Sequence, residues 1–176
     1  IIGAGATGSW LALQLAKLGL QNIHVYDYDV VEEHNIPNQL FGVNHVGMKK
    51  VEALYEIVKE QTNLELYIYD EKVEKAWLDG YVFLMVDSMQ ARKEIFESSI
   101  KLKPQVIHLV EPRMGLSEAR IYNVNPSDIH QIKKYEACWY PDSEAVVSAC
   151  GTSQTVITTA MLTASVCARQ LINHFT

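Results

Sequence analysis

The sequence predicts an α/β protein with a Rossmann-like, doubly wound sheet that is mostly parallel and ends in antiparallel strands. Short apolar, strand-like runs alternate with amphipathic helical segments, as in βαβ units. A glycine-rich turn joins the first strand to the first helix. From Gly115 onward apolar and polar residues alternate, which is typical of an antiparallel strand. A chain of 176 residues suits one hydrophobic core, so we expect a single domain over residues 1–176.

The first βαβ unit can be followed residue by residue. Ile1 and Ile2 form the end of an apolar strand, residues 3–8 form the glycine turn, and residues 9–18 carry apolar side chains at helical spacing. Residues 22–29 contain β-branched and aromatic residues and end in two acids, as a second strand would. Because the chain begins inside a strand, we expect that an N-terminal segment is missing upstream of Ile1.

The later elements continue the alternation of strands and helices. The run at residues 81–86 is nearly continuously apolar, as in a parallel strand covered on both faces, and it ends at Asp87. In such sheets the functional crevice lies at the carboxyl ends of the strands. The remaining predicted elements are helices over residues 47–59, 92–101 and 155–175 and strands over residues 64–69 and 105–110.

Composition and charge exclude several classes of protein. Apolar residues make up 48% and charged residues 20%, as in ordinary globular proteins. A formal net charge of −6 offers no general attraction for nucleic acid, so we expect no nucleic-acid partner. The longest apolar stretch, residues 155–166, is shorter than the roughly 20 residues a membrane-spanning helix needs, so we expect no membrane segment. Three cysteines cannot all pair, which favours a cytoplasmic protein.

The glycine turn indicates a nucleotide site. Gly3, Gly5 and Gly8 fit the pattern GxGxxG between a strand and a helix, where backbone N–H groups and a helix N-terminus can hold phosphate. Roughly 20 residues further on, Asp27 and Asp29 end the second strand, where an acid normally binds a ribose hydroxyl. These features are compatible with NAD, FAD and ATP alike.

The continuation of the chain separates these possibilities. Asn35, Asn38 and Gln39 follow the two acids, Lys50 follows a glycine by three residues, and Asp87 ends a later strand. In this order the sequence resembles the ThiF/MoeB/HesA family, which is related to the adenylation domains of ubiquitin-activating enzymes. The family pattern is GxGxxG, DxDxVxxxNxxRQ, GxxK and a strand-ending Asp, and the resemblance spans nearly the whole chain.

The resemblance implies an activity and partners. Members of the family bind Mg-ATP and adenylate a partner's C-terminal carboxylate, which gives acyl-AMP and pyrophosphate. The expected substrate here is the C-terminal glycine of a ubiquitin-like or sulfur-carrier protein, although a peptide substrate stays open. The family also leads us to expect a homodimer.

The resemblance assigns roles to individual residues. It makes Asp27 the ribose ligand, Asn35, Gln39 and Lys50 the phosphate contacts, and Asp87 the Mg²⁺ carboxylate. Attack on a phosphate gathers negative charge, so such a site needs a cation, a lysine and neutral donors. Mg²⁺ in turn is usually held by one or two carboxylates plus phosphate oxygens. The nucleotide-binding set is completed by Gly3, Gly5, Gly8, Asp29 and Asn38, and the catalytic set consists of Gln39, Lys50, Asp87 and Cys150.

The chain departs from the family pattern at Asn38, where the family carries arginine. An amide supplies neither the charge nor the reach of a guanidinium. Arg92 or Arg113 could replace the missing arginine, and an intrachain salt bridge is the alternative for each. The departure leaves open a degenerate family member that binds nucleotide, or only pairs with an active subunit, without catalysis.

The cysteines divide into three cases. Cys138 resembles the second cysteine of a zinc-binding CxxC pair, but Tyr135 occupies the partner position and no later CxxC follows, so we expect no zinc. Cys150 resembles the cysteine that receives the acyl group in sulfur-transferring members, and a small buried residue before the last helix is the alternative. Cys167 lies within the last predicted helix and is expected to pack in the core.

An NAD- or FAD-dependent oxidoreductase is the alternative from another enzyme class. It explains the glycine turn and Asp27 equally well. It leaves Asn35, Gln39, Lys50 and Asp87 without a role.

Overall fold

The structure, a computed structural model, describes residues 1–144 and 156–175. Its sheet is parallel over most of its width. Strand β1 (His24–Tyr26) pairs in parallel with β2 (Tyr67–Tyr69), and β3 (Gly80–Phe83) pairs in parallel with β4 (Val106–Met114). Ile2 forms parallel bridges to the end of β1 and to the residue after β3, so it joins the two pairs of strands.

The C-terminal edge of the sheet is antiparallel. Strand β5 (Ala119–Val124) pairs antiparallel with β4, and the pairing runs from Leu109 opposite Val124 to Met114 opposite Ala119. The predicted fold class, a mostly parallel α/β sheet with antiparallel strands towards the C-terminus, is confirmed. Strand β4 runs four residues beyond the predicted end at Val110, because its second half pairs with β5.

Helices cover both faces of the sheet. Helix α1 (Ala6–Lys17), α2 (Lys50–Thr62) and the last helix, α5 (Ile157–Phe175), pack on one face. Helix α3 (Met89–Ile95), which continues as a π-helical turn (Phe96–Ile100), packs on the other. Helix α4 (Ile129–Glu136) also lies there and was not predicted from the sequence.

Two apolar cores follow from this layering, because neighbouring residues of each strand point to opposite faces. Phe83 and Val110 face the core under α1, α2 and α5, where Leu54 and Cys167 are fully buried. The other core contains Leu84, Phe96, Ile100, Leu109, Ile132 and Tyr135. Among residues 1–144 and 156–175, no helix combines the length and the apolar composition that crossing a membrane requires.

Candidate nucleotide-binding site

Close packing explains two of the three loop glycines, and open space surrounds the third. Gly3 has φ of 96°, and a Cβ there would lie 2.9 Å from the carbonyl oxygen of Met85. A Cβ on Gly8 would overlap the carbonyl oxygen of Gly3. A Cβ on Gly5, the N-cap of α1, would meet no atom of residues 1–144 and 156–175 within 4 Å. As far as the described residues go, the N-terminus of α1 is therefore open beside Gly5, which is the geometry an anionic group needs to reach the helix N–H groups.

Asp27 ties the glycine loop to the end of β1. Its side chain is buried, its Oδ2 accepts a 2.6 Å hydrogen bond from the backbone N–H of Ala4, and its Oδ1 accepts one of 2.9 Å from Asp29 N–H. Each carboxylate oxygen can accept a second hydrogen bond. A ribose hydroxyl can thus still donate to Asp27, and the ribose role stays a prediction.

Lys50 is held in place by Asp29. Its Nζ lies 2.8 Å from Asp29 Oδ2, and the Lys50 side chain is 8% exposed, whereas that of Asp29 is 48% exposed. The backbone N–H of Lys50, the first residue of α2, also donates to the carbonyl of Asp29 at 2.9 Å. An ammonium group has three donors, so one hydrogen bond to Asp29 leaves capacity for phosphate oxygens. The pairing of these two residues was not predicted from the sequence.

The turn that carries Asn35 and Gln39 is internally braced. The Oδ1 of Asn35 accepts a 2.9 Å hydrogen bond from the backbone N–H of Glu32, and the carbonyl of Asn35 accepts one of 2.9 Å from Gln39 N–H. The Oε1 of Gln39 is buried and has no hydrogen-bond partner within the described part of the chain. The Gln39 amide also carries two N–H donors, which are the groups that can bind a phosphate oxygen.

The same turn is attached to the start of α1. Trp10 Nε1 donates a 3.2 Å hydrogen bond to the carbonyl of Asn38, and the backbone N–H of Leu40 donates one of 3.1 Å to Ser9 Oγ. Ser9 and Trp10 follow the glycine loop directly. Asn38 and the predicted phosphate contact Gln39 therefore lie beside the N-terminus of α1.

Asp87 follows the strand that borders the glycine loop. The backbone N–H of Met85 donates a 2.7 Å hydrogen bond to the carbonyl of Ile2, and the Met85 carbonyl touches Gly3. Asp87 comes two residues later and is exposed. The chain leaves the sheet after Ile2, after β1 and after β3 at the same edge. In open α/β sheets ligands bind at this edge, where the strands have their carboxyl ends.

The family of the chain follows from its sequence as a whole. A family model described as the ThiF family matches residues 1–176. The chain belongs to the ThiF family. The alternative of an NAD- or FAD-dependent oxidoreductase is not favoured by this match.

Curated relatives of this ThiF-family chain include activating enzymes of ubiquitin-like proteins. It is 33% identical over 102 residues to a NEDD8-activating enzyme E1 catalytic subunit of Arabidopsis thaliana, an alignment that covers 54% of this chain and 22% of that protein. It is 29% identical over 104 residues to SUMO-activating enzyme subunit 2 of Dictyostelium discoideum, over 54% of this chain and 16% of that protein. The chain therefore matches only a small part of these relatives.

Solved structures share the fold. The crystal structure of PaaA matches with a TM-score of 0.76 and 20% identity, over 99% of this chain and 55% of that one. Escherichia coli MccB, solved with AMPCPP and MccA, matches with a TM-score of 0.69 and 17% identity, over 97% of this chain and 53% of that one. E. coli TcdA, solved with AMP, matches with a TM-score of 0.62 and 15% identity, over 98% of this chain and 85% of that one.

Arg92 and Arg113 form intrachain salt bridges, which was the alternative to a role as the missing family arginine. Arg92 Nη1 lies 2.9 Å and Arg113 Nε 2.6 Å from the same oxygen of Glu111, which is fully buried. Arg113 Nη1 also donates a 2.5 Å hydrogen bond to the carbonyl of Cys138. These ion pairs assign both arginines a structural role, and they do not support either as a replacement for the family arginine at Asn38.

The cysteines occupy different surroundings. Cys138 is exposed and its thiol donates to the Lys134 carbonyl at 3.2 Å, whereas burial raises the pKa of the Cys167 thiol to about 12. Cys150, the expected acyl acceptor, lies outside the described residues. Over residues 1–144 and 156–175, no three His, Cys, Asp or Glu side chains form a cluster that could hold a metal. The expectation of no zinc remains a prediction.

Asp142 is a polar contact of the site region that the sequence analysis did not single out. Its carboxylate binds the first residues of α3, directly after Asp87, across more than 50 residues of chain. Ser88 could be recognised as a helix N-cap from its residue type. No local pattern connects Asp142 to it.

Proposed function

We propose that this ThiF-family domain uses Mg-ATP to adenylate a carboxylate, with the C-terminal glycine of a ubiquitin-like or sulfur-carrier protein as the leading substrate. One observation carries the proposal. Direct contacts bring the open N-terminus of α1, Asp27, the Asp29–Lys50 pair and the turn with Gln39 to the same edge of the sheet. A dinucleotide site does not require the buried lysine or that turn.

The side chains at this edge fit a nucleotide triphosphate. The α1 N-terminus at Gly5 can receive phosphate oxygens, and Asp27 can accept from a ribose hydroxyl. Lys50 supplies a positive charge from a buried position, so the surrounding solvent screens it little. Asp87 would hold Mg²⁺, which neutralises phosphate charge and is commonly bound through one carboxylate plus phosphate oxygens. A site of this kind needs no cluster of protein ligands.

The proposed reaction is a displacement at the α-phosphate. A carboxylate oxygen of the substrate forms a bond to the α-phosphorus, and the bond from that phosphorus to the bridging oxygen breaks. Pyrophosphate leaves with the electron pair, and no proton transfer is required because the attacking carboxylate is already ionised. Lys50 and the Gln39 amide stabilise the charge that develops on the phosphate oxygens.

The names of the relatives support the choice of substrate. Two curated relatives are named as activating enzymes for NEDD8 and SUMO, which favours a ubiquitin-like C-terminus. The structure of MccB with MccA favours the second candidate, a peptide. TcdA with AMP and MccB with AMPCPP show adenine nucleotides bound to proteins of this fold. The expected homodimer remains part of the proposal.

Isotope exchange between pyrophosphate and ATP tests the proposal. Exchange should require a carrier protein or peptide with a free C-terminus, and Lys50→Ala should reduce it about 100- to 1000-fold, as the loss of a preorganised charge-stabilising donor does elsewhere. Asp87→Ala should lower the rate of exchange and raise the Mg²⁺ concentration that exchange requires. Lys59→Ala is the matched control, because Lys59 lies on the same helix, is 45% exposed and pairs with Glu65.

The degenerate alternative predicts a different pattern. Because an amide at position 38 lacks the charge of the family arginine, a degenerate domain would bind ATP without any exchange for every carrier and peptide tried. ATP binding together with undetectable exchange would therefore refute the proposed activity and favour the degenerate alternative. Exchange that is unchanged in Lys50→Ala would refute the assigned site.

A further inference from the structure

We propose that Asp142 is a positioning residue for Asp87: by closing the N-terminus of α3 it holds the backbone from which Asp87 reaches Mg²⁺. The inference rests on the proposed function, because it takes Asp87 as the Mg²⁺ ligand. Asp142 itself is not proposed to touch the metal or the nucleotide.

The contacts of Asp142 involve three consecutive residues. Its Oδ2 accepts hydrogen bonds from the Ser88 hydroxyl at 3.0 Å and from the backbone N–H of Gln90 at 3.3 Å. Its Oδ1 accepts one of 2.5 Å from the backbone N–H of Met89. All three donors directly follow Asp87 in the chain. Ser88 Oγ in turn accepts a 3.2 Å hydrogen bond from Ala91 N–H.

Together these contacts provide hydrogen-bond acceptors for the first backbone N–H groups of α3. The first N–H groups of a helix have no partner within the helix, and a carboxylate beside them is favoured by the helix dipole. Ser88 takes one of these groups and Asp142 takes two more. With the backbone of residues 88–90 held in this way, the residue that follows Asp87 is fixed, which restricts the positions that the Asp87 carboxylate can take. Mg²⁺ demands near-ideal octahedral geometry, so the orientation of its carboxylate ligand matters.

The segment that delivers Asp142 is itself anchored. The carbonyl of Cys138 accepts the 2.5 Å hydrogen bond from Arg113, and Arg113 is fixed by the buried Glu111 and lies with its guanidinium carbon 4.1 Å from the Tyr122 ring centroid. Asp142 follows only four residues after Cys138. The carboxylate therefore comes from a part of the chain that is attached to the core of the sheet, which is what a positioning residue requires.

A purely structural cap is the competing explanation, and the chain contains a matched control for it. Asp128 caps α4 with the same chemistry, because its Oδ1 accepts hydrogen bonds from His130 N–H at 2.8 Å and Gln131 N–H at 3.3 Å. No residue of the candidate site lies on α4 or directly before it. If caps act only through stability, Asp128→Ala and Asp142→Ala should behave alike.

The test combines two measurements on Asp142→Ala, Asp142→Asn, Asp128→Ala and the parent protein. Amide hydrogen exchange reports whether the N–H groups of Met89 and Gln90 become exposed, without any nucleotide. Calorimetric titration with ATP over a series of Mg²⁺ concentrations reports the apparent Mg²⁺ affinity. In Asp142→Ala we expect faster exchange at both amides and an apparent Mg²⁺ affinity about 10- to 100-fold weaker, as for other residues that orient a metal ligand.

The controls separate an effect on Mg²⁺ binding from a general loss of stability. ATP affinity without Mg²⁺ should stay at the parent value in Asp142→Ala, and Asp142→Asn, which keeps an acceptor oxygen, should recover most of the Mg²⁺ affinity. Asp128→Ala should leave both measurements at residues 87–90 unchanged. If Asp142→Ala does not fold, the comparison between Asp142→Asn and the parent decides, with a smaller shift in the same direction expected.

Failure of the inference and failure of the proposed function give different results. A parent protein whose ATP binding is Mg²⁺-dependent, combined with an Asp142→Ala variant of unchanged Mg²⁺ affinity, overturns the inference alone. An equal shift in Asp128→Ala also overturns it. A parent protein that does not bind ATP, or binds it independently of Mg²⁺, overturns both, because Asp87 then has no metal to hold.

Discussion

Replacing Glu111 by alanine should destabilise this domain severely. Glu111 lies in β4 with no exposed surface, and one of its oxygens binds both Arg92 and Arg113. Its other oxygen accepts a hydrogen bond from the hydroxyl of Tyr135 on α4. One carboxylate thus links β4 to the two helices, α3 and α4, that cover this face of the sheet.

The size of the destabilisation follows from the groups that stay buried after the Glu111 carboxylate is removed. The guanidinium groups of Arg92 and Arg113 stay buried after their shared negative charge is lost. Removing one partner of a buried ion pair costs about 3–5 kcal/mol of folding stability. Burial lowers the pKa of Arg92, and the negative charge of Glu111 raises it again in part. Glu111→Ala removes that stabilising attraction and leaves the cost of burying the arginine. Whole domains are stable by about 5–15 kcal/mol, so this loss is a large share of the total. At about 2–4 °C per kcal/mol for a chain of this size, Tm should fall by roughly 6–20 °C.

Urea unfolding followed by circular dichroism measures the effect. Glu65→Ala is the matched control, because Glu65 also pairs with a cation, Lys59 Nζ at 2.7 Å, but its side chain is 68% exposed. Exposed ion pairs contribute little, so the control should match the parent protein within error. The reasoning would be refuted if Glu111→Ala lost less than about 1 kcal/mol, or if the two variants were equally stable.

Three further outcomes are expected. Gly8→Ala should abolish ATP binding and lower Tm because its Cβ overlaps a loop carbonyl, whereas Gly5→Ala, whose Cβ meets open space, should keep the parent Tm. In the native protein, iodoacetamide should modify Cys138 and spare Cys167, whose pKa burial raises to about 12, as read by peptide mass mapping. Asn38→Arg should increase pyrophosphate exchange about tenfold by adding a charged donor, and an unchanged rate would contradict this.

The elements that could be predicted are those whose apolar pattern is long and regular. The helix at residues 9–18 is found as α1, and the last helix is found as α5. Helix α3 begins earlier than predicted, at Met89, because Ser88 and the distant Asp142 close its N-terminus. Helix α4 was missed because it is short, with only Ile132 and Tyr135 buried, although Asp128 before it is a recognisable N-cap.

The candidate site shows the same division between local and distant information. The order of glycines, acids and Lys50 along the chain predicts one site, and the structure joins Asp27 to the glycine loop and Lys50 to Asp29. The partner of Lys50 was not predictable, because choosing Asp29 over other acids requires knowing that α2 begins beside the end of β1. The contact from Asp142 to α3 depends likewise on how separate parts of the chain pack.

The attachment of the turn at residues 33–40 explains why the family arginine could be lost without loss of the fold. Trp10 binds the backbone carbonyl of Asn38, and the backbone N–H of Leu40 binds Ser9. Neither hydrogen bond uses the side chain at position 38, so both attachments to α1 are independent of the residue type there. Under the proposed function, asparagine at position 38 removes a charge that could face phosphate, while the backbone hydrogen bonds of the turn are retained. The proposed activity then requires that Lys50 and the Mg²⁺ proposed at Asp87 supply enough positive charge by themselves.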